Sequence, residues 1–531
     1  MSNRSGPQGY LALLLHAHLP YVRHPEYPEF LEEDWFFEAL SETYLPILAM
    51  LEGFERDGLR TCFTMSLTPP LCEMLADPLL LERYLRKLGR LRELSELEVK
   101  RSEGTPFAAA ALAYRTHFAQ CAELFEKRWG RNLIAAFRHF QDRGYLEILT
   151  CAATHAFLPL LATEEGLRAQ LRAAVANYRK HFGRAPRGLW LPECAYTPGL
   201  DEILRAVGLD FFFIDTHGLL LGMPHPRFGP FRPVQCPSGV AVFARDQESG
   251  RQVWSSEDGY PGDFDYREFY RDLGYDAEYA HIRPFLHADG VRRNTGIKYH
   301  RITGKVPLGR KEPYQPQVAL RRAAQHAAHF LSCRQMQIGG VRRALHAAPC
   351  IVAPYDAELF GHWWYEGPHF LDCLLRKLAG EQQEIELTTP SRFLERFPNL
   401  QTVQPCASSW GDKGYYEVWL NGANDWIYRH LHAAEVHMVE LARRFPSPTP
   451  LQERALKQAA RELFLAQSSD WAFIMTTGTM VAYAEKRTRG HLHRFNGLRL
   501  QLVENRLEEP WLAGLENLDN IFQELDYRVF A

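Results

Sequence analysis

Two acids carry the chemistry that this chain offers. Glu193 stands in "RGLWLPECAY", directly behind an apolar run and a proline. Asp356 stands in "IVAPYDAELFGHWWYEG", where Ile351-Val352-Ala353 stops at Pro354-Tyr355 and Asp356 and Glu358 follow at once. A single acid behind a strand is ordinarily only solvated. Beside Glu193, however, Trp190 and Tyr196 supply a partly apolar wall, which raises a carboxyl pKa. Two acids at the ends of two strands facing one cleft fit glycoside chemistry: one protonates the leaving oxygen and the other stabilises or attacks the anomeric carbon. Paired acids also hold metals or serve structure, and spacing alone leaves those readings open.

His16 and His18 lie two apart at the end of another apolar run, so a strand there turns both to one face. An H-x-H with acids nearby suits a metal-dependent deacetylase or amidohydrolase. It equally suits hydrogen bonds to sugar hydroxyls, or two core histidines satisfied by backbone. Rings are the third signal. "SSWGDKGYYEVWLNGANDW" spaces Trp410, Trp419 and Trp426 with Gly and Asn, which makes a poor core and a good stacking platform. "DQESGRQVWSSEDGYPGDF" (246–264) carries Trp254 and Tyr260 in a Gly-rich, unperiodic stretch that reads as a lid or as a plain surface loop.

The elements that position these residues follow from hydrophobic pattern. Apolar runs at 10–18, 60–67, 145–153, 188–193, 210–215, 240–246 and 349–356 read as strands buried on both faces, with 384–389 a short eighth. Nearly all end in polar groups, among them His16, His155, Glu193, Asp215, Asp246 and Asp356. Helical periodicity at 37–54 and 167–182, the latter stopped by Gly183, alternates with the strands. This alternation implies a closed or nearly closed barrel with chemistry at the strand C-termini. The predicted organisation is a catalytic barrel over 1–400, with a helical insertion about 71–143 and a lid excursion about 247–315. A C-terminal helical domain follows over 401–531.

Composition excludes some classes. Lys+Arg 61 against Asp+Glu 64 leaves a net charge of -3, with no basic excess for nucleic acid. No apolar run approaches a membrane span, and Tyr10–Leu15 is too brief for a signal-peptide core. The ten cysteines form no C-x-x-C pair, which fits a reduced, cytoplasmic protein. No phosphate-binding glycine loop, dinucleotide fingerprint or G-x-S-x-G elbow is present.

Together the motifs resemble glycoside hydrolase family 57, whose five regions occur in order: "HAHLPY" (16–21), "GYLEIL" (144–149), "WLPECAY" (190–196), "APYDAELFG" (353–361) and "AQSSDW" (466–471). "HWWYEGPHF", "RQVWSSEDGYPGD", "TGIKYHRITG" and the Trp410/Trp419 pair are similar to the 1,4-α-glucan branching subgroup. The resemblance implies an incomplete (β/α)7 barrel, a helical insertion and a C-terminal all-α domain closing one side of the cleft. It implies a retaining transfer of α-1,4-glucan chains to 6-hydroxyls, with Glu193 as nucleophile and Asp356 as proton donor and base, and with no metal or other cofactor. It places Trp410, Asp470 and Arg267 at the glucan, and His16, His18, His155, Trp190, Trp254, Tyr260, Gly296 and Trp419 are expected there with them. The expected partner is amylose, glycogen or a starch-like glucan, acted on by a monomer or small homo-oligomer. Related sequences act mainly as α-glucan hydrolases or 4-α-glucanotransferases, so the balance of transfer and hydrolysis stays open.

Overall fold

The structure is a computed structural model that describes residues 6–255 and 258–531. The apolar runs form strands β1 (Gly9–Ala17), β2 (Phe63–Leu67), β3 (Leu146–Leu149), β4 (Gly188–Leu189), β5 (Phe211–Ile214), β6 (Val234–Gln235), β7 (Ala241–Ala244), β8 (Cys350–Asp356) and β9 (Ile385–Leu387). Two parallel arcs result. One runs β3-β2-β1-β8, and the other runs β4-β5-β7 with β6 antiparallel at its edge. An isolated parallel bridge, Thr150 to Leu189, joins β3 to β4. The Asp246 N–H donates to Val352 O at 2.8 Å and joins the end of β7 to β8. Seven parallel strands thus follow one another around an incomplete barrel whose two seams are thin. The eighth strand of the sequence reading, β9, pairs only with Gly9–Leu11, on the stretch of β1 that β2 leaves free. The two-residue β6 was not foreseen; it is too short to leave a pattern.

The strand period of two decides what fills the barrel. Tyr10, Ala12, Leu14, Phe211, Phe213, Ala241, Phe243, Cys350 and Val352 pack into one core with Trp190 and Cys194. The alternate residues Leu11, Leu13 and Leu15 pack outward into the helical layer. Continuing the inward set along each strand gives His16 and His18, Asp215, Arg245 and Asp356, so the lumen is apolar below and ionisable at its C-terminal mouth. Register fixes the level: His16 lies opposite Asp356 across β1 and β8.

Four helices, Pro69–Ala76, Pro78–Arg101, Ala108–Ala122 and Leu133–Asp142, occupy the stretch between β2 and β3. Glu164–Phe182 is capped by Thr163, whose side chain accepts from the Gly166 N–H, and it ends at Gly183 with φ 68°. After β9 the chain makes bridges from Thr402, Gln404 and Ser408 to the barrel, and the long C-terminal helices start only at Tyr428.

The lid reading over 246–262 needs correction in its first half. Gln247–Trp254 is a helix, and residues 256 and 257 lie outside the described residues. The reason is a cap. Asp246 accepts from the Ser249 N–H at 2.8 Å and from fully buried Arg334 at 3.1 Å, while Gln337 donates to its other oxygen at 2.7 Å. Tyr355 of β8 donates to Ser249 O at 2.9 Å, so this helix is fastened to the strand that carries Asp356. Asp246→Ala removes a cap and one of the two carboxylates that pair with the buried Arg334, leaving it only half-exposed Glu248. The expected loss is about 3 kcal/mol, read in calorimetry as a clearly lower Tm. A variant that melts with the parent contradicts this account of the helix.

Candidate active site

A cavity of about 1240 Å³ opens at the barrel mouth, larger than the pockets that enclose single small ligands. Glu193, Asp356, Glu358, His16, His18, His155, Asp215, Arg245 and Asp470 line it, with Trp35, Trp254, Phe269, Trp363, Trp410, Trp419 and Phe473 among its walls.

Glu193 reaches the cavity by a break in the strand pattern. β4 ends after two residues, and Glu193 and Cys194 adopt left-handed backbone, φ 61° and 51°. Side chains other than Gly avoid this region, at a cost of about 1 kcal/mol or more each. Trp410 Nε1 donates to Glu193 Oε2 at 2.7 Å and Ser469 Oγ to Oε1 at 2.9 Å, and the Trp410 N–H donates to the Glu193 carbonyl at 2.8 Å. Burial pushes the Glu193 carboxyl up to about 7, although these two side-chain donors pull the other way. Burial, then the carboxyls of Glu358 and Glu193, hold Asp356 well above the usual range. Three acids therefore share one poorly solvated space and hold fewer than three negative charges at neutral pH.

Glu358 is the acid that the sequence reading left without a role. Its Oε1 accepts from Tyr44 OH and from the His18 N–H at 3.2 Å, and burial raises it to about 7. Tyr44 closes a π-helical turn, Leu40–Tyr44, between helices Glu33–Ala39 and Leu45–Arg56. Such turns often aim side chains at sites.

The histidines stack as one group. His18 lies over His155 with ring centres 3.8 Å apart, and His16 Nε2 meets His155 Nε2 at 3.0 Å. His18 Nε2 pairs with Asp470 at 3.0 Å and its Nδ1 meets Thr68 Oγ1 at 3.0 Å. Burial lowers the His18 pKa, but Asp470 outweighs it and the net shift is upward; Asp470 is held near 2 despite its burial, by His18. The donor atoms that a metal would take from His18, His155 and Asp470 are thus engaged with one another, with Thr68 and with Ser469. The ligand atoms of these three groups lie within 4.8 Å of one another, close enough to share an ion, but the H-x-H pair is split: His16 turns to His155 and is not among them.

Loop 410–416 presents the platform. Gly411, Lys413, Gly414 and Tyr416 all have left-handed φ, 85°, 61°, 77° and 65°. A Cβ at Gly414 would come within 2.7 Å of the His217 ring, and one at Gly411 within 3.1 Å of Trp419. Trp410 stands edge-on to Trp254 at 6.1 Å.

Four residues expected at the glucan are elsewhere. Trp190 is fully buried below the site, stacked under His16 at 4.9 Å, because its position belongs to the inward apolar set. Arg267 is buried against Glu42 (2.7 Å), the His362 carbonyl (2.9 Å) and the Tyr365 ring (4.2 Å), where it ties the excursion to the barrel. Tyr260 packs on His326 and hydrogen-bonds His329 at 2.8 Å. Gly296, φ 90°, donates its N–H to buried Asp272 at 2.9 Å and shapes a turn. His16, His18, His155, Trp254, Trp410, Trp419 and Asp470 do line the cavity with Glu193 and Asp356. Ser469 and Glu358 were missed as site residues, although each lies within two positions of one that was named.

Residues 12–406 match the family model described as Glycosyl hydrolase family 57, and 430–530 match that described as 1,4-alpha-glucan branching enzyme, C-terminal. A 1,4-alpha-glucan branching enzyme of Thermococcus kodakarensis is 35% identical over 97% of this chain and 78% of its own length. The crystal structure of the alpha-amylase AmyC from Thermotoga maritima superposes with TM-score 0.92 at 46% identity, covering 98% of this chain and 99% of that one. A branching enzyme of the same family from Pyrococcus horikoshii superposes with TM-score 0.89 at 35% identity, covering 98% and 97%.

The raised carboxyls have a stability consequence. A carboxyl near 7 in the fold and 4.5 in the open chain keeps its proton longer when folded, so stability falls as pH rises through that window. Both hydrogen bonds to Glu358 fall on Oε1, so a glutamine carbonyl can retain them. Glu358→Gln is expected to melt with the parent at pH 4 and to be more stable by about 2 kcal/mol at pH 8. Equal Tm values at pH 8 argue against burial of an ionised Glu358 as a cost to the fold.

Proposed function

The chain belongs to glycosyl hydrolase family 57, and on that premise we propose that it is a 1,4-α-glucan branching enzyme working by double displacement. Glu193 attacks the anomeric carbon of an α-1,4-linked chain while Asp356 protonates the departing oxygen. A glucosyl ester forms on Glu193 and the reducing-end fragment leaves. Asp356, now ionised, takes the proton of an acceptor 6-hydroxyl, whose oxygen displaces Glu193 and completes an α-1,6 linkage. Configuration is retained because it inverts twice. The route needs carboxyls about 5–5.5 Å apart, closer than a water-admitting pair.

The observation that carries this reading is one cavity into which β4 and β8 deliver two half-buried acids with raised pKa values. Such a pair suits one acid that must hold its proton and one that must lose it. His18 and Asp470 beside Glu193 fit sugar hydroxyls and Trp410 a sugar face, whereas Trp419 is buried against Phe157 and supports the wall from within; a glycogen-type polymer is the product we assign. The ten cysteines are all free thiols, which supports a cytoplasmic setting. No described helix is long and apolar enough to cross a membrane.

Hydrolysis is the second reading, favoured by the name of the Thermotoga maritima relative. Trp254, on the helix fastened to β8, stands where it limits water at the ester. Incubation with amylose followed by proton NMR separates the two: α-1,6 signals support transfer, and short linear sugars alone support hydrolysis. Asp356→Asn is expected to lower either activity by at least about 10²-fold, and Glu193→Gln by more. Trp254→Ala is expected to raise reducing-end release relative to α-1,6 formation in the same assay. An unchanged ratio removes Trp254 from the transfer mechanism.

A further inference from the structure

A chain of hydrogen bonds runs behind Glu193 and crosses three parts of the sequence. Ser469 Oγ donates to Glu193 Oε1 at 2.9 Å and meets His155 Nδ1 at 2.8 Å. His155 Nε2 meets His16 Nε2 at 3.0 Å, and His16 Nδ1 is buried with no hydrogen-bond partner among the described residues. The Ser469 N–H donates to the His155 carbonyl at 3.1 Å, and Ala156 bridges Ser468, so backbone fixes the hydroxyl in place. His155 itself holds left-handed backbone, φ 57°.

The proton count along this chain has one solution when Glu193 is ionised, and the reverse one when a proton sits on its Oε1. An ionised carboxylate only accepts, so the single Ser469 proton points at it. Ser469 Oγ must then accept from His155 Nδ1–H. A neutral His155 offers a lone pair at Nε2, so His16 donates from Nε2–H and its Nδ1 is bare. Burial lowers both histidines far below their usual range, which keeps them neutral. Adding one proton at His16 Nδ1 reverses every bond: His16 passes its Nε2 proton to His155, His155 passes its Nδ1 proton to Ser469, and Ser469 passes its own to Glu193. Tautomer and charge are thereby locked together.

We propose that Ser469, oriented by His155 and His16, is a positioning residue that holds Glu193 ionised for attack. It acts with Trp410, which bonds the other oxygen, but only Ser469 is linked to the histidines. The other titratable or charged groups around Glu193 are Asp356 and Glu358 at the end of β8, Arg245 and Asp215 at the ends of β7 and β5, Asp470 beside Ser469 and His18 beyond β1, and His155 Nδ1 itself lies 3.7 Å from Glu193 Oε1. Ser469→Ala leaves all of them in place. The C-terminal helices thus complete the nucleophile as well as the cleft.

This inference rests on the proposed role of Glu193, and two readouts separate their failures. The first is the pH dependence of total α-1,4 cleavage, whatever the product. The second needs no turnover: the Trp410 indole N–H resonance, which reports Glu193 ionisation through its own hydrogen bond. Losing a bond to a charged group is expected to move the acid limb and the indole midpoint of Ser469→Ala upward by about one pH unit. Ser469→Cys, a weak donor of similar size, is expected to move in the same direction, and Ser469→Thr to titrate like the parent. Unmoved midpoints in Ser469→Ala, or an equal shift in Ser469→Thr, overturn the proposal. If midpoints shift but Asp356→Asn and Glu193→Gln retain full cleavage, the assignment of Glu193 fails instead and the chain stands as described.

Discussion

Like charge confined in a small, poorly solvated space is the constraint on which this site depends. Burial raises the carboxyls of Glu193, Asp356 and Glu358 together, and the neighbouring Arg245 and His18 offset only part of that rise. The surroundings divide the load unequally. Glu193 receives two side-chain donors, Glu358 receives a phenol and a backbone N–H, and Asp356 receives no donor from the described residues. The acid with the fewest donors is the one best suited to keep a proton. Asp470 escapes the crowding because it faces His18, which takes up the compensating positive charge.

The barrel explains how residues so distant in sequence meet. Its inward set is apolar for two or three layers and turns ionisable at one level, set by the register of β1 on β8. The departures from regularity are local and serve placement: the left-handed pair at Glu193 and Cys194, the π turn that aims Tyr44, and the capped helix that carries Trp254. Each is held by contacts from another part of the chain. Trp410 and Ser469 grip Glu193, and Arg334 and Gln337 grip Asp246.

Much of this was legible beforehand, and the misses share a physical cause. Continuous apolar runs mark strands covered on both faces, so the seven barrel strands and the acids at their ends could be placed. Residues whose role depends on a distant partner could not. An Arg in a polar, Gly-rich stretch looks the same whether it touches sugar or, as Arg267 does, a buried Glu42 lying 225 positions away. Tyr260 and Gly296 were misplaced for the same reason. Ser469 was passed over because a hydroxyl between a serine and an aspartate carries no pattern; its meaning comes from His155. The helix at Gln247–Trp254 was hidden by its short length and its glycine, and only the Asp246 cap betrays it.

The loop that presents Trp410 and Trp419 is shaped by what two of its residues lack. With hydrogens at Gly411 and Gly414, the main chain settles against His217 and Trp419 at a height that any methyl would lift. Neither glycine lines up with a reacting atom. The gap between the tryptophan platform and the acids below is nonetheless set at these two points. A side chain at Gly414 would have to displace the His217 ring or the loop, and with the loop would go Trp410 and its hydrogen bond to Glu193.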